Sequence, residues 1–369
     1  MYYALFITFF PQLIAGPIVH HKEMLPQFLK ASIFKLNHKH LSVGIMIFSI
    51  GLFKKVVFAD TMASYATPVF NAANEGITLT FFEAWGGALA YSLQLYFDFS
   101  GYSDMAIGIA HMFGISLPLN FYSPYKSKNI IEFWRRWHIT LSRFLKMYLY
   151  IPLGGSRKGA TRRYINLMAT MLLGGLWHGA GWNFIIWGAL HGSYLSINHG
   201  WHIIHEKYFL NTWVPKRITN LLSLLITFLA ITFAWVFFRA ESFEAALAVC
   251  RGMLGMNGFI LSTQLIDYLW PFSNIIEFVD EEIGHFGSPI GFLYILLLTG
   301  VVFYFPNTTQ YMDAYRLKSI SDEEHGDRNE TTIKFEFEWI TVGLFWLLSA
   351  ISISMLFISE TTEFLYFNF

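Results

Sequence analysis

Apolar residues run through this chain in long blocks separated by short polar breaks. The blocks cover residues 41–58, 81–99, 164–177, 182–197, 218–238, 290–305 and 339–358. A helix needs about 20 mainly apolar residues to cross a bilayer, so the pattern predicts membrane helices. Residues 1–14 are apolar but stop at GPIVHH, and residues 105–117 and 243–261 are shorter or more mixed. Several blocks are too short to cross alone and are broken by Gly or Pro. Such pieces predict re-entrant half-helices, whose backbone ends must be shielded by protein or by a water-filled cavity. No repeat and no low-complexity linker interrupts the pattern, so one domain over residues 1–369 is expected.

Residues 129–150, NIIEFWRRWHITLSRFLKMYLY, follow a different pattern. Trp134, Trp137, Leu141, Leu145 and Tyr148 share one helical face, while Arg135, Ser142, Arg143 and Lys146 lie away from it. Asn129, with Glu132 three residues on, predicts an N-terminal cap. Pro152, Gly154 and Gly155 predict the end. An aromatic face opposite a basic one is the pattern of a helix lying in the membrane interface.

Composition strengthens the membrane reading. The chain has 369 residues, 54% hydrophobic and only 14% charged, against about 25% charged in soluble domains. Its mean hydropathy is +0.43. There are 38 Phe and 12 Trp, residues expected at membrane interfaces and in half-inserted segments. Net charge is zero, from 25 basic and 25 acidic side chains, and nothing points to nucleic acid. The distribution is uneven. From Lys126 to Arg163 ten basic residues face only Glu132, which places this stretch on the cytoplasmic side. Acidic residues dominate from Asp313 to Glu338. The single cysteine, Cys250, excludes an intrachain disulfide and a cysteine metal cluster. The first residues, MYYALFITFFPQLIAGP, have no basic n-region and no small-residue cleavage site, so no signal peptide is expected in them.

Several residues carry candidate chemistry. His178 lies in LWHGAGW, inside an apolar block. An ionisable group there is a functional candidate by default, and neutral imidazole can take a proton from a hydroxyl. The alternative is a histidine bonded to a neighbouring helix. Gly174, Gly175, Gly179 and Gly181 would leave room for a substrate around the ring, or serve close helix contacts. His138 lies beside Arg135 and Arg136, where a second imidazole could help to position a reacting group. The two arginines could hold an anionic ligand or anchor the helix to lipid head groups. His191 is expected to make a structural polar contact. His138, His178 and His191 would be enough to ligate zinc, but no HExxH pair or His–carboxylate cluster accompanies them, so no metal is expected. Asp98 and Asp104 could form a proton path or cap a helix break at Ser100–Gly101; the structural role is preferred. YIPLGGSRKG at 150–159 matches neither phosphate-binding glycine pattern and reads as a turn.

Taken together, these stretches resemble the membrane-bound O-acyltransferase (MBOAT) family, in particular its bacterial alginate O-acetyltransferase-like branch. The resemblance rests on FFPQLIAGPI (9–18), YFDFSGYSDMAIGIAHMFGI (96–115), LNFYSPYKSKNIIEFWRRWHITLSRFLKMYLYIPLGGSRKG (119–159), GLWHGAGWNFIIWGALHG (175–192), FFRAESFEAAL (237–247) and TEFLYFNF (362–369). It implies an all-α, multi-pass ring of tilted transmembrane helices, with re-entrant and interfacial helices, around a thin centre. It implies His178 as the catalytic general base and His138 as the second family histidine. The implied reaction moves an acetyl group from cytoplasmic acetyl-CoA across the bacterial inner membrane. The group ends on a hydroxyl of an exported polysaccharide such as alginate, with a periplasmic or extracellular SGNH-type acetyltransferase as partner. No permanently bound cofactor is implied. Family members carry further helices before the point where this chain begins, so N-terminal helices are expected to be missing. Two alternatives stand beside this reading: a D-alanyl transferase for teichoic acid, and a transporter.

Overall fold

The polar breaks read from the sequence mark most of the helix ends. A computed structural model describes residues 2–208, 215–262, 276–279, 286, 290–313, 315–317, 339–358 and 364–365. Its helices are α1 (Tyr2–Thr8), α2 (His21–Phe28), α3 (His38–Asn74), α4 (Phe81–Met112), α5 (Ile130–Arg136), α6 (Ile139–Leu145), α7 (Ala160–His178), α8 (Trp182–Tyr208), α9 (Lys216–Arg239), α10 (Phe243–Met253), α11 (Ile290–Tyr304), α12 (Thr308–Met312) and α13 (Trp339–Ile358). Among the described residues the regular structure is helical, apart from one short parallel pair, Ile260–Ser262 with Glu277–Val279, which the all-α expectation lacked. α3 and α9 are each long and apolar enough to cross a membrane, and α11 and residues 343–358 of α13 are shorter apolar helices.

Two apolar blocks expected to be separate, 81–99 and 105–117, are joined. α4 runs unbroken for 32 residues through Ser100 and Gly101, after a capping box at Thr80 and Glu83. Asp98 and Asp104 therefore cap nothing. They pair instead with two lysines of α3, where that helix widens into a π turn at Lys54–Ala59. Lys54 Nζ lies 2.6 Å from Asp104 Oδ2. Lys55 Nζ lies 2.9 Å from Asp98 Oδ1 and 2.7 Å from Asp60 Oδ1. Thr308 Oγ1 also donates to Asp104, at 2.6 Å. Buried carboxylates are tolerated only when paired and hydrogen-bonded in this way.

Glycines set how closely α3 and α4 cross. A Cβ on Gly44 would come 2.6 Å from the Gly108 carbonyl oxygen, and one on Gly51 would come 2.5 Å from that of Gly101. The two pairs run in opposite order along the chain, so the helices are antiparallel. Each pair is spaced by one heptad, which keeps both contacts on one face. Small residues that let backbones meet are the usual solution for helices packed without a hydrophobic driving force.

Residues 129–150 do not form one helix. The Asn129 cap is present, Oδ1 accepting from Glu132 N at 2.9 Å. The helix stops at Arg136, however, and restarts at Ile139, with His138 between them in the left-handed region at φ 41°. Trp134, Trp137, Leu141 and Leu145 are buried as the apolar face predicts, while Tyr148 is exposed. The turn at 150–159 is a turn: Gly154, Gly155 and Gly159 all have positive φ, and Asn166 Nδ2 donates to Gly155 O at 2.9 Å.

The aromatics are not confined to surface belts. Trp187, Trp235, Tyr125 and Phe133 are among the most deeply buried side chains. Two of their three polar tips are satisfied: Trp235 Nε1 donates to Tyr125 Oη at 3.2 Å, and Tyr125 Oη donates to Ser92 O at 2.7 Å, while Trp187 Nε1 has no partner among the described residues. Burying a Tyr or Trp is favourable mainly when its polar end finds a partner. This aromatic core surrounds the three candidate histidines.

Candidate active site

α7 and α8 form an antiparallel hairpin, with His178 as the last residue of α7 and a three-residue tip, Gly179 to Gly181, before Trp182. Of the four glycines around His178, Gly175 and Gly179 pack this hairpin, while Gly174 faces Leu145. A Cβ on Gly175 would strike the Phe184 carbonyl, and one on Gly179 would strike the Phe184 ring. His178 is half-buried. Its ring packs edge-on against Trp177, Trp187 and Phe238, with centroids 4.9, 5.3 and 5.1 Å away. Among the described residues it has no hydrogen-bond partner.

His138 reaches the same place from the break between α5 and α6. Its left-handed backbone costs roughly 1–3 kcal/mol, a cost typical of functional positions. Neighbouring hydrogen bonds hold that conformation: Trp137 N to Phe133 O (2.8 Å), Ile139 N to Asn120 O (2.9 Å) and Ser142 N to His138 O (2.9 Å). The ring is 3% exposed. Nδ1 lies 2.9 Å from Asn120 Oδ1, while Nε2 is buried with no partner among the described residues.

Both imidazoles line one narrow cavity of ≈ 30 Å3, together with Asp98, Trp134, Trp137, Trp187, Trp235 and Phe238. That is room for about one or two water molecules. Asp98 reaches the wall with its carboxylate already engaged: Lys55 holds Oδ1, and Leu365 N donates to Oδ2 at 3.1 Å. Leu365 lines the cavity too. Of the C-terminal TEFLYFNF, only Phe364 and Leu365 lie within the described residues. A wider cavity of ≈ 920 Å3 shares Phe238 and Leu365 with the narrow one and is lined further by Trp182, Asn183, Arg239 and Glu241. A third, of ≈ 340 Å3, lies between His20, Lys22, Glu23, Arg143 and Thr140. Thr140 also hydrogen-bonds the residue that holds His138.

His191 is fully buried and accepts a hydrogen bond from Trp134 Nε1 at 3.2 Å; it does not line the cavity. Arg136 pairs with Glu132 at 2.9 Å and sits over the Tyr122 ring, and Arg135 is exposed; neither lines the cavity. Among the described residues no group of three or more His, Cys, Asp or Glu is arranged to hold a metal. Reading the sequence missed Asn120, Thr140, Trp187 and Trp235. Asn120 stands in LPLNFYSPY, where nothing local marks it as a partner for a histidine 18 residues on.

The profile of the membrane-bound O-acyltransferase family matches residues 1–240, a stretch that contains both histidines of the cavity. The chain belongs to the MBOAT family. Membership implies a multi-pass membrane protein. This MBOAT chain is 46% identical over 370 residues to a peptidoglycan O-acetyltransferase of Helicobacter pylori, an alignment covering 100% of the chain and 64% of that protein. It is 45% identical over 265 residues to a "Probable alginate O-acetylase" of Pseudomonas aeruginosa, covering 70% of the chain and 47% of that protein. It is 30% identical over 250 residues to a teichoic acid D-alanyltransferase of Bacillus subtilis, covering 65% of the chain and 61% of that protein. The chain thus spans between about half and two thirds of the length of these relatives.

Proposed function

We propose that this MBOAT chain transfers an acetyl group from a thioester donor, acetyl-CoA, to a hydroxyl of an exported cell-envelope polysaccharide. The observation that carries this reading is the pairing of His138 and His178 on one narrow, aromatic-walled cavity. In such a transfer the hydroxyl oxygen bonds to the acetyl carbon, the C–S bond breaks, and the hydroxyl proton ends on the departing thiolate. An imidazole takes that proton and returns it, a role worth about 10²–10⁴-fold in rate. His178 and His138 act here as one unit. The cavity is too narrow for either whole substrate, so donor and acceptor enter from opposite sides and only their reacting ends meet. Its aromatic walls exclude water, which would otherwise hydrolyse the thioester.

The finer assignments follow the same logic. Alignment over the whole chain with a peptidoglycan O-acetyltransferase makes peptidoglycan the first acceptor to test, ahead of alginate. The membrane is the bacterial inner membrane, and an SGNH-type acetyltransferase on the far side completes the transfer. The test uses membranes containing the full chain, supplied with acetyl-labelled CoA thioester and either polysaccharide. Covalent label in the polysaccharide that disappears in His178→Ala, at normal expression, is the expected result. Label that persists in His178→Ala overturns the proposed site. Incorporation of D-alanine and not acetate supports the teichoic acid reading, and movement of a solute with no covalent product supports a transporter.

A further inference from the structure

The network behind His138 has only one consistent arrangement of hydrogens. Three groups converge on Asn120 Oδ1: His138 Nδ1 at 2.9 Å, Thr140 Oγ1 at 2.9 Å and Thr140 N at 3.4 Å. A backbone N–H can only donate, so the Asn120 atom facing it is the carbonyl oxygen and not the amide nitrogen. The amide nitrogen points the other way, toward Ser103 Oγ at 3.4 Å. The Thr140 hydroxyl accepts from Ile18 N at 3.0 Å, leaving its own hydrogen for Asn120. A carbonyl oxygen has lone pairs and no hydrogen, so His138 Nδ1 must carry the proton. In neutral imidazole the other nitrogen is then the acceptor. That nitrogen, Nε2, is the one without a partner among the described residues, on a ring that lines the cavity.

His191 makes the contrast within the same aromatic core. Its Nδ1 faces the indole N–H of Trp134, which can only donate, so its proton sits on Nε2. The core therefore holds two buried histidines in opposite tautomers, each fixed by one neighbour, and only His138 turns a lone pair to the cavity.

We infer that Asn120 is a positioning residue, which locks His138 as the Nδ1–H tautomer so that Nε2 presents its lone pair to the reacting groups in the cavity. This rests on the acetyl-transfer reading and sharpens it. A lone pair cannot donate to a thioester carbonyl, so His138 enters the reaction as a hydrogen-bond acceptor, toward the attacking hydroxyl or the His178 ring beside it on the cavity wall. Asn120 grips the histidine twice, through its side chain and through its own carbonyl, which accepts from Ile139 N. Substituting the side chain leaves that main-chain bond in place.

The test takes two Asn120 variants and two readouts. Asn120→Leu keeps the size and removes the acceptor, and it is expected to lower kcat by about 10²–10⁴-fold with little change in KM for acetyl-CoA, in line with the cost of a wrong tautomer in a fixed site. Asn120→Asp keeps the acceptor and adds a negative charge. It stabilises imidazolium, so activity returns but the acid limb of the kcat/KM profile moves to higher pH. A purely structural Asn120 would give Asp and Leu variants that lose yield together and leave that limb where it was, which overturns the inference. The second readout needs no turnover. Nitrogen NMR of ring-labelled histidine in the full chain, with the His138 signal identified by its loss in His138→Gln, is expected to show the proton on Nδ1. A proton on Nε2 overturns the inference even if transfer proceeds. An Nδ1 proton in a protein that transfers no acetyl group defeats the reaction and leaves the tautomer standing.

Discussion

At the scale of single residues, the two cavity histidines differ in how they are held. His138 is wired to Asn120 and Thr140, whereas His178 is held by ring packing against Trp177, Trp187 and Phe238. Both line one cavity of ≈ 30 Å3, so on the proposed reading they act on the same reacting atoms. Groups that act as a unit are non-additive when removed: losing one costs nearly as much as losing both. We therefore expect His138→Gln and His178→Gln each to lower kcat by about 10²-fold or more, and the double variant to be no worse than the poorer single one. Steady-state kinetics on purified variants decides it. A double variant whose loss equals the product of the single losses would show two independent roles. Both histidines were legible in the sequence, His178 as an imidazole in an apolar block and His138 beside Arg135 and Arg136 on an aromatic-and-basic stretch. Their relationship was not, because the signal available was the glycines beside His178, and two of these, Gly175 and Gly179, pack the α7–α8 hairpin against Phe184. The residue that fixes His138 carries no local mark. An asparagine becomes significant only when the fold lays it against a particular ring.

At the scale of elements, periodicity gave the helices and missed what joins them. The apolar blocks found the spans because hydropathy responds to burial in lipid and in protein alike. The expected break at Ser100–Gly101 failed because polar and small residues in a buried helix can be answered by the neighbouring helix. Asp98 and Asp104 meet Lys55 and Lys54, and Gly101 meets the Gly51 carbonyl. The converse failure is at His138, where an unbroken amphipathic pattern hides a left-handed residue that splits one expected helix into two. The glycine crossing makes a quantitative expectation. Alanine at a helical glycine gains about 1 kcal/mol in propensity. At Gly200, where a Cβ would meet nothing within 4 Å, Gly200→Ala should show that gain. At Gly101 a Cβ would lie 2.7 Å from the Gly51 carbonyl oxygen, backbone that cannot move aside without separating α3 from α4. Overpacking of this kind costs about 1–3 kcal/mol, which outweighs the propensity gain. Thermal unfolding of the detergent-solubilised chain should therefore rise for Gly200→Ala and fall for Gly101→Ala. Equal shifts for both would mean that the crossing is looser than the geometry states.

At the scale of the whole molecule, the remaining question is which way the site faces. α7 climbs from Ala160 to His178 and α8 descends from Trp182, so Ser156 and the hairpin tip lie at opposite ends of one antiparallel pair. α7 has 19 residues, about 28 Å at 1.5 Å per residue, comparable to the ~30 Å hydrocarbon core. Charge then sets the direction. The basic run from Lys126 to Arg163 meets a single acid, and lysine and arginine in short loops stay on the cytoplasmic side. This orientation puts Ser156 in the cytoplasm and turns the wide cavity at Trp182 and Arg239 toward the far side, where an exported polysaccharide would be. It also puts the cavity at His20, Lys22 and Arg143 on the cytoplasmic side, next to the Thr140–Asn120–His138 network, where acetyl-CoA is available. Labelling from outside intact cells tests the arrangement. Cys250 is buried and is replaced by Ser to clear the background. Ser156 and Trp182 are both exposed, so access to each is governed by the membrane and not by packing. An impermeant thiol reagent should modify Trp182→Cys and spare Ser156→Cys until the cells are opened. Ready modification of Ser156→Cys in intact cells would invert the protein, and with it the side from which the proposed acetyl donor would reach the cavity.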